Sequence, residues 1–76
     1  MRVLVYEDGL GNNTVCVYET DATNIMQYAI DAYEGKHADD IIFDRDYYDD
    51  YDIDFKNQTV CGEGGEPIAY DIAFEF

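Results

Sequence analysis

Thr14-Val15-Cys16-Val17-Tyr18-Glu19-Thr20-Asp21-Ala22-Thr23-Asn24-Ile25-Met26-Gln27-Tyr28-Ala29-Ile30-Asp31-Ala32-Tyr33-Glu34-Gly35 is the stretch where the periodicity of the chain changes, and with it the fold class. Over 14–20 the side chains alternate in β-branched and aromatic types, the period-2 pattern of a strand. From Ala22 the apolar positions move to helical spacing, with Ala22, Ile25, Met26, Ala29, Ile30 and Tyr33 on one face. Asp21 or Thr23 is the expected N-cap, and Gly35 supplies a left-handed stop. Lys36 and His37 would then sit against the C-terminal dipole. A helix of about 13 residues is marginal in isolation, so this one must lie on a sheet.

The flanking segments supply that sheet. Residues 2–7 also alternate, with Val3 and Val5 on one face and Leu4 and Tyr6 on the other. Between the two strands, Asp8-Gly9-Leu10-Gly11-Asn12-Asn13 is dense in residues that tolerate positive φ, which predicts a hairpin loop. Beyond the helix, Ile41 to Phe43 reads as a buried anchor. From Asp50 acid alternates with apolar: Asp50, Asp52 and Asp54 outward, Tyr51, Ile53 and Phe55 inward. Lys56-Asn57-Gln58 reads as a turn or strand end, Thr59-Val60-Cys61 as a short strand, and Gly62 to Pro67 as a loop. The chain closes on Ile68, Tyr70, Ile72, Phe74 and Phe76 alternating with Ala69, Asp71, Ala73 and Glu75. The sum predicts one α+β domain over 1–76 in the order ββαββ. One helix would pack on an antiparallel sheet of four strands, with room for a short fifth. The closing strand is either central in the sheet or an edge open to pairing, so monomer and homodimer both stand.

Charge narrows the function. The 76 residues carry 18 Asp plus Glu against 4 Lys plus Arg, a formal net charge of −14. Free nucleic acid and anionic membrane surfaces would repel such a chain. Its apolar runs are too short for a membrane span, and acid at Glu7-Asp8 interrupts any signal-like apolar run. A cytoplasmic compartment is therefore expected. Asn12-Asn13-Thr14 and Asn57-Gln58-Thr59 match glycosylation triplets, which carry no meaning without secretion. Leu, Ile, Val and Phe total 18 residues and Tyr adds 8, enough large apolar area to expect a folded chain rather than a disordered one.

Catalytic and metal chemistry find little to build on. The chain has no serine and one histidine, His37, which reads as a helix-end charge with no nucleophile beside it. Cys16 and Cys61 lie in apolar strand contexts and read as small buried hydrophobes, with a cross-strand disulfide as the alternative. No second Cys or His stands at metal-ligand spacing. Asp50-x-Asp52-x-Asp54 matches the first three ligands of an EF-hand loop. Phe55 then stands where that loop needs Gly, and Cys61 where it needs a bidentate Glu. Gly62-Glu63-Gly64-Gly65-Glu66 places anions where a phosphate would need bare N–H groups. No enzyme activity, cofactor or metal is expected; a divalent-cation-binding module is kept as an alternative.

What remains is the acid itself. Asp39, Asp40, Asp44, Asp46, Asp49, Asp50, Asp52 and Asp54 place eight carboxylates within 16 residues, against Arg45 alone. Solubility needs a net charge of only about 2–8 in a small domain, so −14 asks for another reason. A compact chain of this length is ~30 Å across, giving about one net charge per 2 Å. Duplex DNA carries one per ~1.7 Å. Asp50, Asp52 and Asp54 in an extended strand would stand about 6.7 Å apart on one face. Such carboxylates offer Arg and Lys the same charge-assisted contacts as phosphates. Tyr47 and Tyr48 are adjacent, so at least one should be exposed, where its ring can receive a guanidinium. Tyr51 is assigned to the core. The expected partner surface is thus Asp39, Asp40, Asp44, Asp46, Tyr47, Tyr48, Asp49, Asp50, Asp52 and Asp54.

In size, composition and the 39–54 run, the chain resembles the small acidic DNA-mimic inhibitors of bacteriophages and mobile elements, anti-CRISPR and anti-restriction proteins among them. That resemblance implies a non-enzymatic blocker in the cytoplasm of a bacterial host. It would occupy the basic nucleic-acid-binding surface of a defence protein or ribonucleoprotein complex, an anti-CRISPR role first. These inhibitors have unrelated folds, so no residue role is carried over by position. An immunity or antitoxin-type protein that plugs one basic enzyme is the alternative. A halophile protein would spread its acid evenly, which the clustered run opposes. Because like charges oppose compaction, adding sodium chloride should raise the melting temperature; a melting temperature that is flat or falls with salt would show that repulsion is not the limiting term.

Overall fold

Strand β1 (Arg2–Tyr6) has two buried faces, and the architecture is arranged around it. The computed structural model describes residues 1–7, 14–45, 53–62 and 65–76. Within these, β1 pairs antiparallel with β2 (Val15–Glu19), and β2 in turn with β3 (Ile41–Arg45). Helix α1 (Ile25–Tyr33) connects β2 to β3 through a short 3-10 turn at Ala38–Asp40. The chain then builds β4 (Ile53–Asp54), β5 (Thr59–Cys61) and β6 (Pro67–Ala69) before ending in β7 (Ile72–Glu75). β7 returns alongside β1 in parallel. The result is a mixed four-stranded sheet in the order β3-β2-β1-β7 and an antiparallel three-stranded sheet in the order β4-β5-β6.

These elements form three layers. Val3 and Val5 face α1 together with Tyr18, packing on Tyr28, Ala29 and Ala32. Leu4, Val15, Val17 and Phe43 face the opposite way, onto Ile53, Val60 and Tyr70 of the second sheet and its exit. The alternation expected for residues 2–7 is therefore present, and both of its faces are used. That is the burial a strand with a parallel neighbour normally shows.

The α+β class, the antiparallel pairing of 2–6 with 15–19 and, among the described residues, one amphipathic helix are as expected, while the loop expected at 8–13 lies outside the described residues; other parts of the order ββαββ are corrected. The sheet is not wholly antiparallel, and the strands divide between two sheets rather than one. The closing strand does not run unbroken from Ile68 to Phe76. It changes sheet between Tyr70 and Asp71, where Tyr70 N–H donates to the Gln58 carbonyl at 2.9 Å and Asp71 N–H to the Arg2 carbonyl at 2.9 Å. Asp71 holds the corner from both sides. Its carboxylate accepts from Arg2 N–H at 2.8 Å, and its carbonyl accepts from the Gln58 side-chain amide at 2.9 Å.

The acid-alternating stretch is also shorter as a strand than its pattern suggests. Ile53 is buried as expected, but Phe55 is 53 % exposed because the chain has already entered the 55–58 turn. The Asp54 carboxylate draws that turn closed, accepting from Asn57 N–H at 3.0 Å and from the Asn57 amide at 2.8 Å. Helix α1 starts later than Asp21 or Thr23 would place it: Asn24 is the N-cap, its side chain accepting from Gln27 N–H at 3.2 Å. Ile41 to Phe43 is split by a register shift opposite Val17/Tyr18. Ile41 packs toward the helix, Phe43 toward the second sheet, and Ile42 is left 41 % exposed, as a bulge requires.

Two glycines fit places that a side chain would disturb. Gly35 ends the helix at φ +87°, and a Cβ on Gly62 would stand 2.7 Å from the Glu66 carbonyl oxygen. Leu4 is fully buried between the two sheets, so Leu4→Ala should cost about 2–5 kcal/mol in urea unfolding, against about 0.5 kcal/mol or less for Met26→Ala on the surface. Equal losses at the two positions would contradict the layered core.

Candidate partner-binding surface

The acidic residues meet the fold in three different ways. Asp39 and Asp40 lie on the 3-10 turn that leads into β3, and Asp44 lies near the far end of the same strand. Among the described residues β3 is the outermost strand of the four-stranded sheet on that side, and both Asp44 within it and Asp39 in the turn before it are exposed. Asp44 stands opposite Cys16, on the face of the sheet that carries the helix.

Asp40 is less free than its neighbour. Its carboxylate accepts the Tyr28 hydroxyl at 2.7 Å, and the His37 Nδ1 lies 3.9 Å from the same oxygen. The His37 ring stacks on Tyr28 with centroids 4.0 Å apart and planes 12° from parallel. Burial, then the bond to Asp40, pushes the Tyr28 phenol up to about 12. The histidine read as a helix-end charge is thus part of a packed Tyr28–His37–Asp40 group. Lys36 is held by Asp31 at 3.6 Å and Glu34 at 3.9 Å.

Asp54 lies apart from the other three, on the second sheet, and closes the 55–58 turn as described. Hydrogen bonds from the Asn57 backbone and then its side chain hold its carboxyl below the usual range. Asp46, Tyr47, Tyr48, Asp49, Asp50 and Asp52 lie outside the described residues, as does Tyr51. Elsewhere, Glu19, Asp21, Glu34, Glu66, Asp71 and Glu75 are exposed on several sides of the molecule.

One concavity was not signalled by the sequence pattern. A cleft of about 310 Å³ opens where the end of β1 and the start of β2 meet the last turn of α1. Val5, Cys16 and Tyr18 of the sheet, Ala32 and Tyr33 of the helix, and Glu7 line it. It could not be read in advance because its walls, part core and part surface, come from three separate segments brought together only by how far the helix reaches along the sheet. The Tyr18 hydroxyl donates to the Ala32 carbonyl at 3.3 Å. Burial first, then the neighbouring Cys16, raises its phenol pKa.

Cys16 and Cys61 are not bonded to each other, and they stand on different sheets, so the cross-strand disulfide is set aside. Among the described residues no group of three or more His, Cys, Asp or Glu is placed to hold a metal, and no helix is long and apolar enough to cross a membrane. Comparison with family models, curated proteins and solved structures finds no match to the chain.

Because Asp54 is held below its unfolded value, its contribution to stability is present above the ordinary carboxylate range and is lost as pH falls through the lowered value. Asp54→Ala should therefore be less stable than the parent at about pH 7, and the gap should narrow as pH falls below the ordinary carboxylate range. A gap that is independent of pH would mean the ionised carboxylate does not hold the turn.

Proposed function

We propose that this protein is a non-enzymatic inhibitor that mimics DNA and occupies the basic nucleic-acid-binding surface of a host defence complex, an RNA-guided nuclease first. The observation that carries this reading is charge density. A net charge of −14 is mounted on a body measuring 29 × 26 × 22 Å. Along the longest axis that is about one net charge per 2 Å, beside ~1.7 Å per charge for duplex DNA. A cationic groove that recognises phosphates by position and charge would accept carboxylates at such density, through charge-assisted bonds to Arg and Lys.

The exposure of Asp39, on the turn before β3, and of Asp44, within it, supports the same reading, since both carboxylates are open to a cationic partner. The chain continues from β3 directly into the acid-rich 46–52 segment. The proposed surface therefore centres on Asp39, Asp40 and Asp44 with the acids and tyrosines that follow. Asp54 belongs to the turn it closes and contributes charge at a distance.

Affinity capture from a bacterial lysate, followed by competition with duplex DNA, tests the reading. A captured nucleic-acid-binding complex that DNA displaces would support it; a captured enzyme with no nucleic-acid-binding surface would move the assignment to an immunity-type protein. Replacing Asp44, Asp46, Asp50 and Asp52 together with Asn should abolish inhibition while leaving the melting temperature equal or higher. Full inhibition by that variant would overturn the proposed surface.

A further inference from the structure

We propose that the cleft between the β1/β2 end of the sheet and the last turn of α1 is an anchoring pocket for one arginine side chain of a basic partner. The partner's class rests on the inhibitor reading; the pocket's chemistry stands on its own walls. At about 310 Å³ the cleft is at the lower limit of ligand sites, suited to one side chain or a small molecule rather than a nucleotide cofactor.

Its walls divide into the two parts an arginine needs. Val5 and Ala32 are buried and apolar, a surface for the aliphatic stem. Tyr33 is 46 % exposed at the mouth and braced by stacking on Phe76 with centroids 4.6 Å apart. A ring fixed in this way presents π surface to a planar guanidinium at little further entropic cost. Glu7 on the rim supplies the carboxylate. Its backbone is anchored by donating to the Thr14 carbonyl at 3.0 Å, so the acid is carried on the paired end of the hairpin.

The field in the cleft favours a cation. Its helical wall is the C-terminal turn of α1, which carries partial negative charge and has no basic residue in that turn. The nearby Lys36 is held by Asp31 and Glu34. Asp31 is about 200° from Tyr33 around the helix, so the ammonium is drawn to the side away from the cleft. Asp44, beside Cys16 on the same face of the sheet, adds a negative charge near the floor. An anionic ligand would find no cationic side chain among the described residues that line the cleft.

Cys16 makes the test direct, because its thiol lines the cleft while Cys61 is on the other sheet. In the full-length Cys61→Ser protein, the alkylation rate of Cys16 by iodoacetamide would be measured with and without N-acetyl-arginine amide. The isosteric citrulline compound, which lacks the charge, serves as the control. Protection by the arginine probe with about tenfold weaker protection by citrulline is expected, and Glu7→Gln or Tyr33→Ala should each weaken the arginine effect several-fold. Circular dichroism would confirm that both variants stay folded. Equal protection by the two probes, no protection by either, or protection unchanged in both variants would overturn the proposal. The probes involve no partner, so failure here leaves the DNA-competition experiment standing, and failure of that experiment leaves this one interpretable.

Discussion

Fourteen net negative charges on 76 residues must be held together by apolar contact, and β1 is where most of that contact converges. Val3, Leu4 and Val5 are all at or below 5 % exposure, because one face of the strand meets the helix and the other meets the second sheet. A half-buried sheet would have used only one of those faces. With three layers, a chain of this size gains two apolar interfaces from one strand, and none of the described acids is buried. The parallel return of β7 follows from this constraint: Ile72 and Phe74 extend the helix-facing side, while Ala73 extends the other.

The local elements were legible where periodicity acts alone. The hairpin of β1 and β2, the helix of Ile25–Tyr33 and the short strand Thr59–Cys61 follow from residue spacing. The pairing of distant segments was not legible, because nothing in the spacing of Ile68 to Phe76 marks a change of sheet. That change depends on Asp71, whose carboxylate bonds to a backbone group 69 residues away in sequence. A polar residue at an outward position of an alternating strand looks like any other until its partner is placed beside it.

The same limit applies to function. Asp40 and Asp54 looked equivalent to Asp39 and Asp44 as members of an acidic run, yet each is engaged within the fold: Asp40 by Tyr28 and Asp54 by Asn57. Membership of an acidic run therefore overcounts the carboxylates free for direct contact with a partner, although each keeps its charge. The tyrosines show the converse. Tyr18, Tyr28 and Tyr70 are buried, whereas Tyr33, assigned by its spacing to the helix's inner face, stands at a cleft mouth. Acid at high density with aromatic surface beside it is the combination a guanidinium-rich partner recognises, by long-range attraction first and by contact afterwards.

Long-range attraction has a kinetic signature that contact chemistry lacks. The decisive measurement is the association rate of this protein with its captured partner across a series of salt concentrations, beside the same partner's association with duplex DNA. Nucleic-acid mimicry predicts fast association that falls steeply with salt, with the two series running in parallel. A rate for this protein that hardly changes with salt, while that for DNA collapses, would contradict the account.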